Sequence, residues 1–427
     1  MVVSVTSKKA IGRRQSVIVA VIGNFVEWYD WGLYGFLFPY FASSFFPGGE
    51  SAARLSSLAV LAISFFMRPL GGAILGSYGD RHGRKAGLML TILIMAGASL
   101  VIAVAPTYAT VGLLAPALLI GARLVQGIAT GGEYGASTAY LSEQSQARTR
   151  AFTASFQQVS VGIGGLAASL TVTVLASAIA RDAMEQWGWR IGYAIGAVLG
   201  IIGFVVRYRA SEPEAFIRLQ KTATVSVKPF REMLTTQRKA ALLLAGVSIG
   251  SFVTYYMWLT YLPAYTNLTT GLPLEQATGA TSISLLVFIC LLPLIARLSD
   301  RVGRRTTMLV YSIGTFVLIL PLLLLLRVGT FWAMLTVALV GVILQAFASG
   351  TLTALYAELF PSRVRSVGVG FAYALTGALF GGTTPLIMEF FGSRGVFAFA
   401  PIYIMVLTAI STVVYIRMPE TKGKDLE

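Results

Sequence analysis

Arg123, Gln126, Thr130 and Glu133 are separated by three, four and three residues, so any helix that carries them presents a guanidinium, an amide, a hydroxyl and a carboxylate along one stripe. Such a stripe can receive a carboxylate ligand, because an arginine fork donates two parallel hydrogen bonds to it. It can equally close on itself as an internal Arg–Glu pair that only shapes the protein. Glu27, Asp30 and Tyr34, spaced by three and four, form a second stripe. Arg68, just before Pro69-Leu70-Gly71-Gly72, can pair with those carboxylates or meet a ligand itself. Further along the chain, Tyr255, Tyr256 and Trp258 fall on one helix, and Tyr373, Thr376, Phe380 and Thr384 on one face of another. They offer rings and hydroxyls without charge, facing a cavity, while Tyr265 is predicted at a membrane interface.

The elements that must position these groups are apolar. Of 427 residues, 56% are hydrophobic and only 12% charged, with a mean hydropathy of +0.75, which excludes an ordinary soluble globule. A helix needs about 20 apolar residues to cross a bilayer, and the chain contains twelve runs of that order. Alternating patterns of the barrel kind are absent. The prediction is an all-α membrane protein of twelve spans: a tail over 1–15, six spans within 16–206, a polar linker over 207–240, six spans within 241–417 and a tail over 418–427. The fourth span is predicted as one helix over 111–141, and the first ends near Phe41. The third has no ionisable residue and reads as lipid-facing or supporting. Ionisable groups at bilayer depth are expensive and normally face the interior. They concentrate in the first six spans; in the last six, Glu389, near the outer end of the eleventh span, is the main candidate.

The formal charge of +15 does not imply nucleic acid, because 26 of the 33 Lys and Arg fall on one side of the alternating spans. This positive-inside bias sets both termini in the cytoplasm and brings the basic turns against anionic lipid headgroups. Arg54 is among the seven outside that set. Cys290 and His82 are the only residues of their kinds, so a disulfide framework and a thiolate metal site are excluded. Protons crossing this protein must ride on carboxylates. With no metal cluster, nucleophile–histidine pair or cofactor loop, neither an enzyme nor a bound cofactor is predicted. A channel is disfavoured by the lack of a repeated filter-like segment.

A repeat organises the chain. The turn Gly76-Ser77-Tyr78-Gly79-Asp80-Arg81-His82-Gly83-Arg84-Lys85 returns as Ala296-Arg297-Leu298-Ser299-Asp300-Arg301-Val302-Gly303-Arg304-Arg305, and Glu143, Arg148 and Arg150 return as Glu358, Arg363 and Arg365. Asp80 can face the positive N-terminal end of a neighbouring helix. Arg81, Arg84 and Lys85 can meet Glu143, as Arg301, Arg304 and Arg305 can meet Glu358. These sets read either as latches that hold the cytoplasmic ends together in one conformation or as simple placement of basic residues inside.

The turn Gly76-x-x-x-Asp80-Arg81-x-Gly83-Arg84-Lys85 and its second copy resemble a signature of the major facilitator superfamily. The stretches Gly23-Asn24-x-x-Glu27-Trp28-x-Asp30, Met67-Arg68-Pro69-Leu70-Gly71-Gly72, Arg123-x-x-Gln126-Gly127, Gly131-Gly132-Glu133-Tyr134-Gly135 and Trp187-Gly188-Trp189-Arg190 resemble its metabolite:proton symporter branch. Within that branch the chain looks like α-ketoglutarate permeases and citrate–proton symporters. Thr254-Tyr255-Tyr256-Met257-x-Leu259-Thr260-Tyr261 is similar instead to proline/betaine transporters. The resemblance implies two pseudo-symmetric six-helix bundles and proton-driven uptake, by a monomer in a bacterial inner membrane, of a small organic anion or, alternatively, a zwitterionic osmolyte. On this reading Arg68 and Arg123 contact the substrate, helped by Gln126, Gln157, Tyr255, Tyr256 and Tyr373. Glu27, Asp30 and Glu133 are the proton-carrier candidates, and competition between substrate and a carboxylate for Arg123 links protonation to binding.

Overall fold

The structure, a computed structural model, describes residues 13–72, 74–75, 84–131, 133–143, 145–209, 233, 235–362 and 364–426. Among them the regular elements are all helical. The first six stretches are α1 (Arg13–Phe45), α2 (Glu50–Gly72), α3 (Arg84–Val104), α4 (Leu114–Thr130, then Glu133–Glu143), α5 (Arg150–Ala178) and α6 (Trp189–Arg209). The last six are α7 (Arg238–Thr270), α8 (Leu274–Val302), α9 (Arg304–Leu326), α10 (Phe331–Leu359), α11 (Arg365–Gly392) and α12 (Phe399–Arg417). Among the described residues nine of these are long and apolar enough to cross a membrane; α1, α3 and α4 complete the twelve.

Two boundaries differ from the sequence reading. The first helix runs through Pro39 to Phe45, because a proline within a long helix costs one backbone bond that buried neighbours can offset. The fourth span starts at Leu114 rather than at 111, and its described helical segments are Leu114–Thr130 and Glu133–Glu143. Wide turns interrupt α7 at Met257–Tyr261 and α11 at Gly377–Gly382, a local unwinding that often marks functional positions in helices.

Helices α1 to α6 pack among themselves, as do α7 to α12. Between the sets, α2 packs on α11, α5 on α8, the second segment of α4 on α11, and α5 on α10. Advancing every label by six turns α2·α11 into α8·α5 and α4·α11 into α10·α5. The interface is therefore self-complementary under exchange of the two bundles, as duplication requires.

Lipid is as apolar as leucine, so close packing rather than water exclusion joins such helices. Glycine decides it between α2 and α4. A Cβ on Gly131 would lie 1.8 Å from the Arg68 carbonyl oxygen, and one on Gly71 would lie 1.9 Å from that of Ile128. Only without side chains can the two backbones meet, and that meeting fixes where Arg68 and Arg123 project.

Candidate functional site

Arg123 on α4 is fully buried, and its Nη1 donates to Asp30 Oδ2 on α1 at 2.6 Å and to Gln126 Oε1 at 2.5 Å. Ser99 on α3 donates to Asp30 Oδ1 and accepts from Gln126 Nε2 at 3.2 Å. Three helices of one bundle thus close a ring of charged and polar groups. The guanidinium carbon lies 4.0 Å over the Tyr34 ring and 4.9 Å over Trp31, contacts in which a desolvated cation is attracted to ring faces. The internal partner of Arg123 is therefore Asp30 rather than a glutamate of its own stripe. Ser99 was not legible as a site residue, because a lone serine in an apolar run carries no signal of its partner.

Arg68 occupies a different place. It is 5% exposed, lies 3.9 Å over Phe65 and 4.3 Å over Trp31, and among the described residues its Nε and Nη2 have no acceptor within bonding geometry. It lines a cavity of about 10 Å³ between the bundles, together with Glu27, Trp28, Thr130, Tyr134 and Tyr373. A second cavity of about 20 Å³ lies beyond Trp28, walled by Trp31, Tyr255, Tyr256 and Leu285. Each has room for roughly one water. Of the expected contacts, Arg68, Glu27, Tyr255, Tyr256 and Tyr373 reach these hollows, whereas Arg123, Gln126 and Gln157 line neither. Gln157 instead accepts from Thr138 at 2.9 Å and donates to Ser137 at 2.9 Å, tying α5 to α4. Trp258 packs on Gly341 of α10, away from either cavity, while Tyr265 is buried beside Tyr261. The Trp258 correction has a physical cause: the wide turn at Met257–Tyr261 shifts the helical phase, so the spacing read from sequence no longer predicts the face.

The contacts between bundles are shut at both ends. At the end carrying the second basic turn, Asp300 accepts the backbone N–H groups of Ala151 and Phe152 at 3.1 and 3.0 Å. This caps α5 of the opposite bundle with a negative charge, where the exposed amides and the helix dipole both favour one. Arg304 donates to Asp300 at 2.8 Å and to Glu358 at 2.9 Å, and Arg150 joins Glu358 from the other bundle at 3.0 Å. Arg304 and Glu358 thus meet as the repeat predicts, but Arg301 is exposed and offers its carbonyl to Lys422 instead. Asp80 and Arg81 of the first copy lie outside the described residues, as do the side chains of Arg84, Glu133 and Glu143. The tail contributes as well. Thr421 donates to Glu358 at 2.5 Å, and Glu420 accepts from Arg304 and Arg305 N–H at 2.9 and 3.1 Å, capping α9. Burial acts to raise the Glu420 pKa, but four backbone N–H groups, from Arg304, Lys422, Arg305 and Thr421, hold it below the ordinary carboxylate value. Between this end and the cavity, Tyr134 and Tyr373 stack across the bundles at 3.5 Å.

At the opposite end, Arg54 on α2 donates to Glu389 on α11 through Nε at 2.5 Å and Nη2 at 3.2 Å, and Tyr261 on α7 donates to the same carboxylate at 2.5 Å. Arg54, read from the sequence only as a charge on the sparse side, is buried in a cross-bundle pair. Among the described residues, the buried ion pairs that cross the interface, Arg54–Glu389 and Arg150–Glu358, belong to these two closures.

The sequence model described as Major Facilitator Superfamily matches residues 20–385. The α-ketoglutarate permease of Escherichia coli (strain K12) is 35% identical over 423 residues, which cover 99% of this chain and 97% of that protein. A proline/betaine transporter of Salmonella typhimurium is 32% identical over 433 residues, covering 97% and 85%. Among solved structures, the proton:xylose symporter XylE bound to 6-bromo-6-deoxy-D-glucose superposes with a TM-score of 0.76 at 18% identity, covering 97% of each chain.

Proposed function

The chain belongs to the major facilitator superfamily, a multi-pass membrane protein of that fold, and on this premise we propose that it is a proton-coupled symporter. It imports a small organic anion, a di- or tricarboxylate such as α-ketoglutarate or citrate, by rocking its bundles about the central cavities. The observation that carries the reading is Arg68: a buried guanidinium at the cavity between the bundles, with two nitrogens that find no acceptor among the described residues. Buried donors without partners are costly, and a substrate carboxylate would satisfy both at once. Thr130 and Tyr373 supply hydroxyls at the same cavity, and Tyr255 and Tyr256 wall the next one.

Proton coupling falls to carboxylates. Asp30 is the foremost candidate, because a proton on it would release Arg123, and Glu27 and Glu133 remain candidates beside it. Gln126 and Gln157 then orient neighbours rather than touch substrate. The Asp300, Arg304 and Glu358 cluster serves as the cytoplasmic latch, with the first-copy residues Asp80, Arg81, Arg84 and Glu143 as its counterpart. This orientation puts both termini in the cytoplasm, and the protein in a bacterial inner membrane as a monomer among anionic lipids.

The alternative is a zwitterionic osmolyte such as proline or betaine, favoured by the aromatic lining and by the proline/betaine relative. A quaternary ammonium needs ring faces. Here Phe65 and Trp31 already hold the Arg68 guanidinium, which leaves the anion as the better fit. A thermal-shift panel of organic acids and zwitterions on the purified protein and on Arg68→Gln, with uptake into proteoliposomes with and without an inward proton gradient, tests the reading. Stabilisation by dicarboxylates that vanishes in Arg68→Gln, with gradient-dependent accumulation, is expected. Stabilisation by betaine alone, or uptake indifferent to the gradient, would overturn it.

A further inference from the structure

The closure opposite the basic cluster is a carboxylate receptor filled by the protein's own side chain. Arg54 is 3% exposed and grips both oxygens of Glu389, which is fully buried, while the Tyr261 hydroxyl bonds to one of them. A guanidinium fork with a hydroxyl beside it is the donor set that recognises carboxylates. The partners divide between the bundles: the donor Arg54 rides on α2, whereas the acceptor Glu389 is on α11 and the donor Tyr261 on α7. Any separation at this end carries Arg54 away from Glu389. The acid facing it from its own helix is then Glu50, 3.7 Å away and exposed.

Helix α2 also carries Arg68. From 54 to 68 is roughly four turns and about 21 Å at the α-helical rise, which leaves both arginines near one face of the helix. One stands at the mouth of the interface and the other at the cavity. An anion entering from this end meets the first before the second.

We propose that Arg54, once parted from Glu389, is an outer docking site for the carboxylate of an arriving organic anion, and that Glu389 and the anion compete for it. This rests on the organic-anion reading of the central site. While the anion holds Arg54 the mouth stays open, because Glu389 has lost its partner. Passage of the anion to Arg68 frees the fork, Glu389 returns, and the mouth closes behind the cargo. Internal and external carboxylates exchange on one guanidinium, so the gate senses the chemical class it admits.

Two substitutions break the same ion pair and separate this proposal from a mere strut. Glu389→Gln removes the competitor and leaves the receptor, so the KM for α-ketoglutarate uptake is expected to fall several-fold. Arg54→Gln removes the receptor, so KM is expected to rise about tenfold, with the increase shrinking at high ionic strength as screening weakens long-range attraction. If both variants move KM in the same direction, or neither moves it, the proposal is overturned. Thermal-shift midpoints with α-ketoglutarate on the purified variants read the same contrast without transport, and midpoints without ligand show that each is folded. Failure of the parent protein to bind or accumulate any carboxylate would instead overturn the organic-anion reading itself.

Discussion

Asp30→Asn probes the ring that joins α1, α3 and α4. In the native protein the Arg123 Nη1 lies 2.6 Å from Asp30, with both side chains buried. The substitution keeps the shape and removes the charge, so a fully buried guanidinium is left with two amides as acceptors. Breaking one side of a buried pair costs about 3–5 kcal/mol, and the hydrogen bond that the introduced amide can still accept offsets about 1 kcal/mol. The net loss is about 2–4 kcal/mol, which at 1.4 kcal/mol per factor of ten raises the unfolded fraction about 30- to 700-fold. Thermal unfolding in a mild detergent reads this as a lowered midpoint. Adding Arg123→Gln should restore much of the loss, because removing both charges abolishes the uncompensated one. Transport supplies the second readout. An asparagine at this position imitates a carboxylate that never gives up its proton, so accumulation driven by a proton gradient should disappear while exchange of substrate across the membrane persists. If Asp30→Asn retained gradient-driven accumulation, or if Arg123→Gln deepened its instability, the coupling argument would fail.

Asp300→Asn removes the charged cap that Asp300 places on α5 of the other bundle, a contribution of about 0.5–2 kcal/mol. Distances between spin labels on α5 and α9 should therefore shift towards the separated population; an unchanged distribution would show that the cap does not hold this end. Gly135→Ala should have a similar effect by another route, since a Cβ there would stand 2.2 Å from the Ser366 carbonyl oxygen. Label pairs on α4 and α11 should report a wider gap with substrate binding retained. The Glu420 cap carries a pH signature. Its folded pKa is depressed, so its stabilisation is present above the ordinary carboxylate range and is lost as pH falls through the lower folded value. Protection of the α9 N-terminal amides from hydrogen exchange should weaken on acidification, and Glu420→Gln should be weakly protected at every pH.

Composition and periodicity by themselves determined the class of protein and much of its inventory. Long apolar runs have no stable home outside a bilayer, and the repeated turn at Asp300 announced two bundles before any helix was placed. The stripes at Glu27 and Asp30 and at Arg123 and Gln126 were legible because helical spacing is a local property. What tertiary structure decided was who meets whom. Arg123 joins Asp30 across 93 residues and Arg54 joins Glu389 across 335, and no pattern along the chain encodes either distance. The wide turn at Met257–Tyr261 resets the helical phase, so Trp258, counted onto the cavity face, moved off it. In a membrane a charge is tolerated wherever some partner reaches it, and which partner reaches it is fixed by the packing of glycine-lined helices, known only once the bundle is assembled.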